Sequence, residues 1–165
     1  ALLMDGKIIR GINNAAGEIG YMLFERNHLT QNWKNKGCFE NYCSGSGLKE
    51  RMSALSGQSM NAHEILIAAA QGETLPAMLL EEMADYLTIG ILNMVTIANL
   101  EKVILTGGVS QSAELFMPRV QANLDRHLFA NTRVSVERSE LKEKAPLYAV
   151  PSFATIFNPS IQLLC

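Results

Sequence analysis

The first residues whose type suggests chemistry lie at positions 11–21, GINNAAGEIGY, where Glu18 is the single carboxylate. Small residues such as those beside Glu18 let a ligand approach the backbone closely. An ionised carboxylate accepts hydrogen bonds through both oxygens, which suits two neighbouring hydroxyl groups. Taken alone, Glu18 is open to two interpretations: a ligand for a vicinal diol, or a solvated side chain in a turn.

Residues 105–111, LTGGVSQ, form a second candidate, because they follow an apolar run typical of a buried strand and precede a helical pattern. In parallel α/β sheets, ligands bind where the strands end. Gly107 and Gly108 would permit close approach, and the start of a helix offers free N–H groups to an anion. The segment is neither a P-loop nor a GxGxxG motif, so taken alone it also fits an ordinary tight turn.

Turn and capping signals predict the elements that must position these segments. Asp5-Gly6 predicts a β-hairpin over residues 2–10. Asn61, with Glu64 three residues later, predicts a capped helix over residues 61–71. Residues 11–20 and 27–37 are predicted to be loops, and residues 38–55 to be helical with a break at 44–47.

The longest predicted helix covers residues 76–99, with Thr74 as its candidate cap. Apolar residues recur there at steps of three and four, and further apolar residues on its other faces predict that most of its second half is buried. A buried strand at 102–106, a helix reaching residue 128, a strand at 133–138 and a final helix at 146–157 complete the pattern. This order predicts an α/β domain with parallel strands.

Composition excludes several classes of protein. The 165 residues are 48% hydrophobic and 18% charged, which predicts a packed core. The net charge of −2 without a basic block does not suit a nucleic-acid binder. No apolar run has the length of a membrane span, and the three cysteines make a poor disulfide framework, which favours a reducing cytoplasm.

Five segments, in order along the chain, resemble the ROK family (repressors, open reading frames and sugar kinases). ALLMDGKIIRG at the start resembles the strand pair after the family's second phosphate loop, and AAGEIGY at 15–21 resembles its signature AGEIGH. GCFENYCSGSG at 37–47, NLEKVILTGGVSQ at 99–111 and APLYAV at 145–150 resemble three further stretches. Five collinear matches are far more specific than any one of them.

The resemblance implies a fold: residues 1–165 would be the ribonuclease H-like C-terminal domain of a protein with two actin-like domains. Its mixed sheet would be flanked by helices. Sugar and ATP, with Mg²⁺, would bind in the cleft. By the same resemblance, Glu18 contacts sugar hydroxyls, with help from Asn13 or Asn14, and the nucleotide lies along Gly107, Gly108 and Ser110.

The resemblance also implies what this chain lacks. The family's catalytic base is an Asp that has no match here, and neither phosphate loop is present, so no catalytic residue is expected. The strand that carries the second phosphate loop would precede Ala1, so the first strand of the domain is expected to be missing. An unpaired hairpin edge then predicts a homodimer or an oligomer with an exchanged element.

Other residues replace most ligands of the family's usual zinc site, so we do not expect this chain to bind zinc. That site takes one His and three Cys, and a structural zinc ion needs four such donors. His28 and Cys43 could join the remaining cysteine only at a spacing that matches no known pattern. The four family positions are here Tyr21, Gln31, Trp33 and Cys38.

Three hypotheses about function follow. The leading one is a sugar kinase that phosphorylates a hexose or glycoside with ATP, of which this chain is the C-terminal part. The alternative is a sugar-sensing transcriptional regulator of the same family, which would bind DNA through a separate N-terminal winged helix. The third is a binding module without chemistry.

Overall fold

The chain begins with the hairpin that the Asp5-Gly6 turn predicts. The structure is a computed structural model that describes residues 1–140 and 163–164. Strands β1 (Leu2–Met4) and β2 (Lys7–Ile9) pair antiparallel. Asp5 and Gly6 have φ values of 49° and 72°, the positive values that a two-residue type I′ turn requires. The predicted hairpin is confirmed.

Two short helices follow the loop, and they are separated where the serine and glycine residues predict a break. Helix α1 (Cys38–Cys43) ends at Ser44, whose side chain accepts a hydrogen bond from the N–H of Gly47 and so caps α2 (Gly45–Ser56). A β-carbon on Gly47 would lie 2.1 Å from the carbonyl oxygen of Asn41. Gly47 therefore allows the two helices to approach at this corner.

Helix α3 (Ala62–Ala70) begins with the predicted capping box. The N–H of Glu64 donates to Oδ1 of Asn61 at 3.0 Å, and the N–H of Asn61 donates to Oε2 of Glu64 at 2.7 Å. The start of α4 (Thr74–Ala98) differs from the prediction. Glu73 precedes it without a side-chain cap, and Thr74 is already helical, so the hydroxyl of Thr74 does not serve as the cap.

Helix α4 packs against α1, α3 and α5, and its apolar stripe lies in the core. Met83, Ile91 and Val95 are buried, whereas Ile89 is 40% exposed and Ile97 is 79% exposed. The prediction that most of the second half is buried was therefore too broad. Gly90 is the contact point for α1, because a β-carbon there would lie 2.8 Å from the ring of Phe39.

Three parallel strands form the second sheet, in the order β4-β3-β5. They are β3 (Lys102–Leu105), β4 (Ser135–Arg138) and β5 (Leu163–Leu164), with Val103 opposite Val136 and Ile104 opposite Leu163. The predicted parallel arrangement is confirmed for β3 and β4, and β5 adds a strand that the sequence analysis did not predict. Strand β3 is fully buried only at alternate positions, Val103 and Leu105.

The helix predicted from the glycine turn to residue 128 is divided in two. A 3₁₀ helix covers Val109–Leu115 with a kink at Ser112, and α5 (Met117–His127) begins separately after its cap residue Phe116, with Pro118 in its first turn. Proline is favoured in that first turn, where its missing N–H is not needed. The final helix predicted at 146–157 lies outside the described residues. Within the described part of the chain, no helix is long and apolar enough to cross a membrane.

Candidate functional site

A cavity of about 530 Å³ lies between the loop that precedes α1, the starts of α2 and α3, and the turn after β3. Its apolar walls include Ile19, Phe39, Leu105 and Phe116. Polar groups lie on two sides of it, one side on the loop at 17–21 and on α1, the other on the turn at 106–110. The sequence predicted both sides as candidates, and the chain path brings them to one cavity.

Glu18 lines this cavity and is held there by its loop. Gly17 has a φ of 83°, and a β-carbon on it would lie 3.1 Å from the backbone nitrogen of Leu2. The loop thus packs tightly against β1 at a position that favours glycine. Glu18 itself is exposed and begins a 3₁₀ turn, Ile19–Tyr21. Among the described residues, no side-chain hydrogen bond or ion pair engages its carboxylate, so both oxygens are available to a ligand.

Glu40 is a second carboxylate at the cavity, and the sequence reasoning missed it. It lies in the first turn of α1 and lines the same wall as Glu18. Gly20 lies beside it, since a β-carbon on Gly20 would be 3.7 Å from Oε2 of Glu40. The sequence did offer a clue: Glu40 lies in the stretch at 37–47 that resembles the family, two residues after Cys38.

Asn13 and Asn14 lie elsewhere on the same loop. Both are exposed, neither lines the cavity, and Asn14 has a φ of 56°. Asparagine tolerates this left-handed conformation better than most residues. The structure therefore places Glu18 at the cavity and the two asparagines in the preceding turn.

Gly107 and Gly108 also line the cavity, where β3 ends. Gly107 has a φ of 85°, and a β-carbon built on either residue meets no atom within 4 Å. Ser110 also lines the cavity, but it is buried and its hydroxyl donates to the carbonyl oxygen of Gly107 at 2.7 Å. The glycines therefore offer open space beside exposed backbone, and the serine stabilises their turn.

The sequence predicts that the start of a helix offers free N–H groups to an anion at this turn, and the structure provides fewer of them than predicted. The N–H of Gln111 donates to the carbonyl oxygen of Gly108 at 3.2 Å, and α5 begins only at Met117. A helix dipole acts within the first turn of its helix, so the start of α5 contributes little at Gly107. An anion at the turn would rely on the backbone of the turn itself.

The region of the family's zinc site holds hydrogen-bonded side chains that do not fit a zinc ion. Nδ1 of His28 accepts hydrogen bonds from the backbone N–H groups of Phe24 and Glu25, each at 3.3 Å, and lies 3.2 Å from Sγ of Cys38. The thiol of Cys43 donates instead to the carbonyl oxygen of Met83 at 3.7 Å. In the described residues, no group of three or more His, Cys, Asp or Glu side chains could hold a metal ion.

Comparisons with known proteins identify the family of this chain. A model of the ROK family matches residues 1–149. The N-acetyl-D-glucosamine kinase of Photobacterium profundum is 30% identical over 143 residues, which are 81% of this chain and 47% of that protein. A xylose repressor of Caldicellulosiruptor bescii is 28% identical over 159 residues, 87% of this chain and 40% of the repressor.

A solved structure shows the shared fold. The ROK family glucokinase of Streptomyces griseus, in complex with glucose and AMPPNP, matches 89% of this chain and 54% of its own with a TM-score of 0.70 at 23% identity. The chain spans about half the length of the curated relatives it matches. Since the family model covers residues 1–149 of the 165, the chain belongs to the ROK family.

Proposed function

We propose that this chain is the sugar- and ATP-binding C-terminal part of a ROK-family sugar kinase. The whole protein would transfer the γ-phosphoryl group of ATP to a hydroxyl of a hexose or glycoside. The observation that carries the proposal is one cavity of about 530 Å³ that is lined both by Glu18 and by Gly107 and Gly108. Relatives that are kinases and a solved glucokinase with the same fold support it.

The sugar side of the proposed site consists of carboxylates and an aromatic ring. Glu18 and Glu40 would accept hydrogen bonds from sugar hydroxyls, and charge-assisted bonds of this kind are the strong ones. The neighbouring ring of Phe39 would pack against the apolar face of the sugar. Asn13 and Asn14 would contribute only from the edge of the loop, because they lie outside the cavity wall.

The nucleotide side consists of the turn after β3. Gly107 and Gly108 would lie along the nucleotide, since both leave space where a side chain would otherwise be, and Ser110 would hold their backbone in place. Phosphoryl transfer depends on positioning and on Mg²⁺ held with the phosphates. The described residues include no cluster of metal ligands. We propose that the remainder of the protein supplies the ligands of that ion and the catalytic base.

The finer fold assignment is also part of the proposal. The three parallel strands and their helices fit the ribonuclease H-like C-terminal domain of an actin-like fold, with residues 1–165 as that domain. Free thiols at Cys38 and Cys43 suit the cytoplasm. The exposed Ile89 and Ile97 on α4 suit a homodimer through this helix.

A sugar-dependent ATPase assay on the full-length protein tests the proposal. We expect ADP release only when a suitable sugar is present, in a panel containing glucose, N-acetylglucosamine, xylose and a β-glucoside. Glu18→Gln should abolish most of this turnover, whereas Glu101→Gln, at an exposed carboxylate away from the cavity, should leave it unchanged. No turnover with any sugar in the panel would overturn the kinase assignment.

A regulator is the second candidate, and the similarity to the xylose repressor over 87% of this chain favours it. In that case the same cavity would bind an inducer sugar, and an N-terminal winged helix would bind DNA. The full-length protein would then show no sugar-dependent ATPase activity and would release its operator DNA when the inducer binds. The two outcomes separate the candidates.

A further inference from the structure

The loop at residues 22–37 is held together by side chains rather than by regular structure. Its one regular element is a single 3₁₀ helix, Arg26–Thr30. At the centre of the loop lies His28, which is 2% exposed although histidine is a polar residue. A buried imidazole must have its nitrogens satisfied, so the contacts of His28 show what keeps the loop in place.

Both nitrogens of the His28 ring are engaged. Nδ1 accepts two backbone N–H groups, and Nε2 lies 3.4 Å from Oη of Tyr42. The thiol of Cys38 lies 3.2 Å from Nδ1 and is fully buried. Burial, and then the charge of Glu25, raises the pKa of the Cys38 thiol, which favours a protonated donor over a thiolate.

This geometry conflicts with a shared metal ion. Zinc bonds to nitrogen and sulfur at tetrahedral angles would place the two ligand atoms about 3.6 Å apart, farther than the observed 3.2 Å. A zinc ion on Nδ1 would also displace the N–H groups of Phe24 and Glu25. The arrangement is instead complete as a set of hydrogen bonds.

An outer ring of contacts ties His28 to the helices. Nε1 of Trp33 donates to the carbonyl oxygen of His28 at 2.8 Å, and Oη of Tyr86 on α4 donates to Oε1 of Glu25 at 2.5 Å. The Tyr86 hydrogen bond lowers the pKa of Glu25, so the acceptor is ionised. Tyr42 on α1 stacks on Tyr86 with ring centroids 3.9 Å apart. We call these residues the His28 clasp: Phe24, Glu25, His28, Trp33, Cys38, Tyr42 and Tyr86.

The clasp is connected to the cavity at both ends of its loop. Before the loop comes the 3₁₀ turn Ile19–Tyr21, which Glu18 begins. The last residue of the loop is Gly37, which lies so close to Gly20 that a β-carbon on Gly37 would be 2.1 Å from the Gly20 carbonyl oxygen. Phe24 contacts Phe39 of α1 at 5.3 Å between ring centroids, and Glu40 is the next residue along.

We propose that the His28 clasp positions Glu18 and Glu40 at the sugar site without a metal ion, and that His28 is its positioning residue. The positioning role rests on the proposed sugar site, whereas the metal-free clasp stands on its own contacts. His28 touches no ligand in this scheme. It acts through the loop that joins the two carboxylates.

The metal-free clasp is tested on the full-length protein without any sugar. We expect substoichiometric zinc after purification with zinc in the medium, and a thermal unfolding temperature unchanged by EDTA. Trp33 is the single tryptophan of these 165 residues, so its fluorescence reports on the clasp once any tryptophan elsewhere in the protein is replaced by phenylalanine. His28→Leu should shift its emission to longer wavelength and speed tryptic cleavage at Lys34 and Lys36, whereas His63→Leu, at an exposed position on α3, should change neither. About one zinc per chain, or unchanged emission and cleavage in His28→Leu, would overturn the clasp.

The positioning role is tested on the full-length protein by calorimetry with glucose, N-acetylglucosamine and AMPPNP. We expect His28→Leu to weaken sugar binding at least about tenfold and to leave AMPPNP binding unchanged. The reason is that a loosened loop no longer holds the carboxylates of Glu18 and Glu40 in position. His28→Asn, whose amide oxygen can replace Nδ1 as acceptor, should recover most of the sugar affinity, and it remains informative if His28→Leu does not fold. A wild-type protein that binds no sugar would refute the sugar site. Normal sugar binding by both variants would refute only the positioning role.

Discussion

Gly37 and Gly108 provide a matched test of how the cavity is built, because both have ordinary negative φ values and differ in the room around them. Gly37 has φ −58° and Gly108 has φ −62°, so alanine meets no backbone strain at either position. A β-carbon on Gly37 would lie 2.1 Å from the carbonyl oxygen of Gly20 and 2.4 Å from its carbonyl carbon. A β-carbon on Gly108 meets no atom within 4 Å.

The expected effect of Gly37→Ala follows from that overlap. Real β-carbons do not approach other atoms more closely than 3.0 Å, so the two backbones must separate by about 0.9 Å. Overpacking costs about 1–3 kcal/mol, and the upper end applies because no flexible side chain can yield. For a chain of this size, a loss of about 3 kcal/mol lowers the unfolding temperature by roughly 6–12 °C.

Gly108→Ala should behave in the opposite way. Its helical backbone and free surroundings predict a free energy of unfolding between unchanged and raised by about 1 kcal/mol, since alanine reduces the entropy of the unfolded chain. In the full-length protein, the added methyl group would occupy the space assigned to the nucleotide and weaken AMPPNP binding.

Urea unfolding of the 165-residue variants, followed by far-UV circular dichroism, measures both stabilities, and calorimetry measures AMPPNP affinity. If Gly37→Ala is as stable as the wild type, the close contact between Gly20 and Gly37 is not present in solution. If Gly108→Ala binds AMPPNP normally, Gly108 does not lie along the nucleotide.

Three further changes test separate features. Glu18→Gln should weaken sugar binding in calorimetry by roughly tenfold to a hundredfold, as expected for a hydrogen bond to a charged group. It should leave the unfolding temperature unchanged, and a large drop would show that the carboxylate has a structural role. Asn61→Ala should cost about 1 kcal/mol in urea unfolding by removing the cap of α3, and no loss would count against the capping box. Arg119 pairs with Asp85 at 2.8 Å on the surface, and its hydrogen bonds lower the pKa of that carboxyl. Arg119→Gln should therefore cost less than about 1 kcal/mol at neutral pH. The pKa of Asp85 is lowered in the folded state, so the stabilisation from its pair with Arg119 is fully present above the ordinary pKa of an aspartate. It should vanish as the pH falls through the lowered pKa of the folded state. If wild type and Arg119→Gln still differ in stability at low pH, the assignment is refuted.

Local signals predicted the elements well where a few neighbouring residues decide the outcome. The Asp5-Gly6 turn, the break at Ser44 and the capping box at Asn61 are all set by residues within four positions of one another. The same local reasoning was wrong at Thr74, where Glu73 precedes the helix. It was also wrong after Gly108, where a 3₁₀ helix and a separate helix that begins at Met117 replace one continuous helix.

The site was predictable in part, because two of its segments have compositions that suit ligands. Glu18 and the Gly107-Gly108 turn were candidates from their own neighbours and from their order in the family pattern. Glu40 was missed, since an acidic residue in the first turn of a helix is ordinary on a solvated surface. Its significance comes from lying on the same cavity wall as Glu18, which no local pattern records.

The sequence by itself determined the family, the hairpin, the capped helices and the two segments that are candidates for binding a ligand. Each of these depends on residue type and short spacing. The tertiary structure alone decided that Glu18 and Gly107, far apart in the chain, face one cavity. It also decided that His28 is buried among aromatic side chains, that Gly37 meets Gly20, and that the two asparagines lie outside the cavity. The reason is physical: contacts between distant segments depend on how helices and strands pack across the core, and that packing is a property of the whole chain.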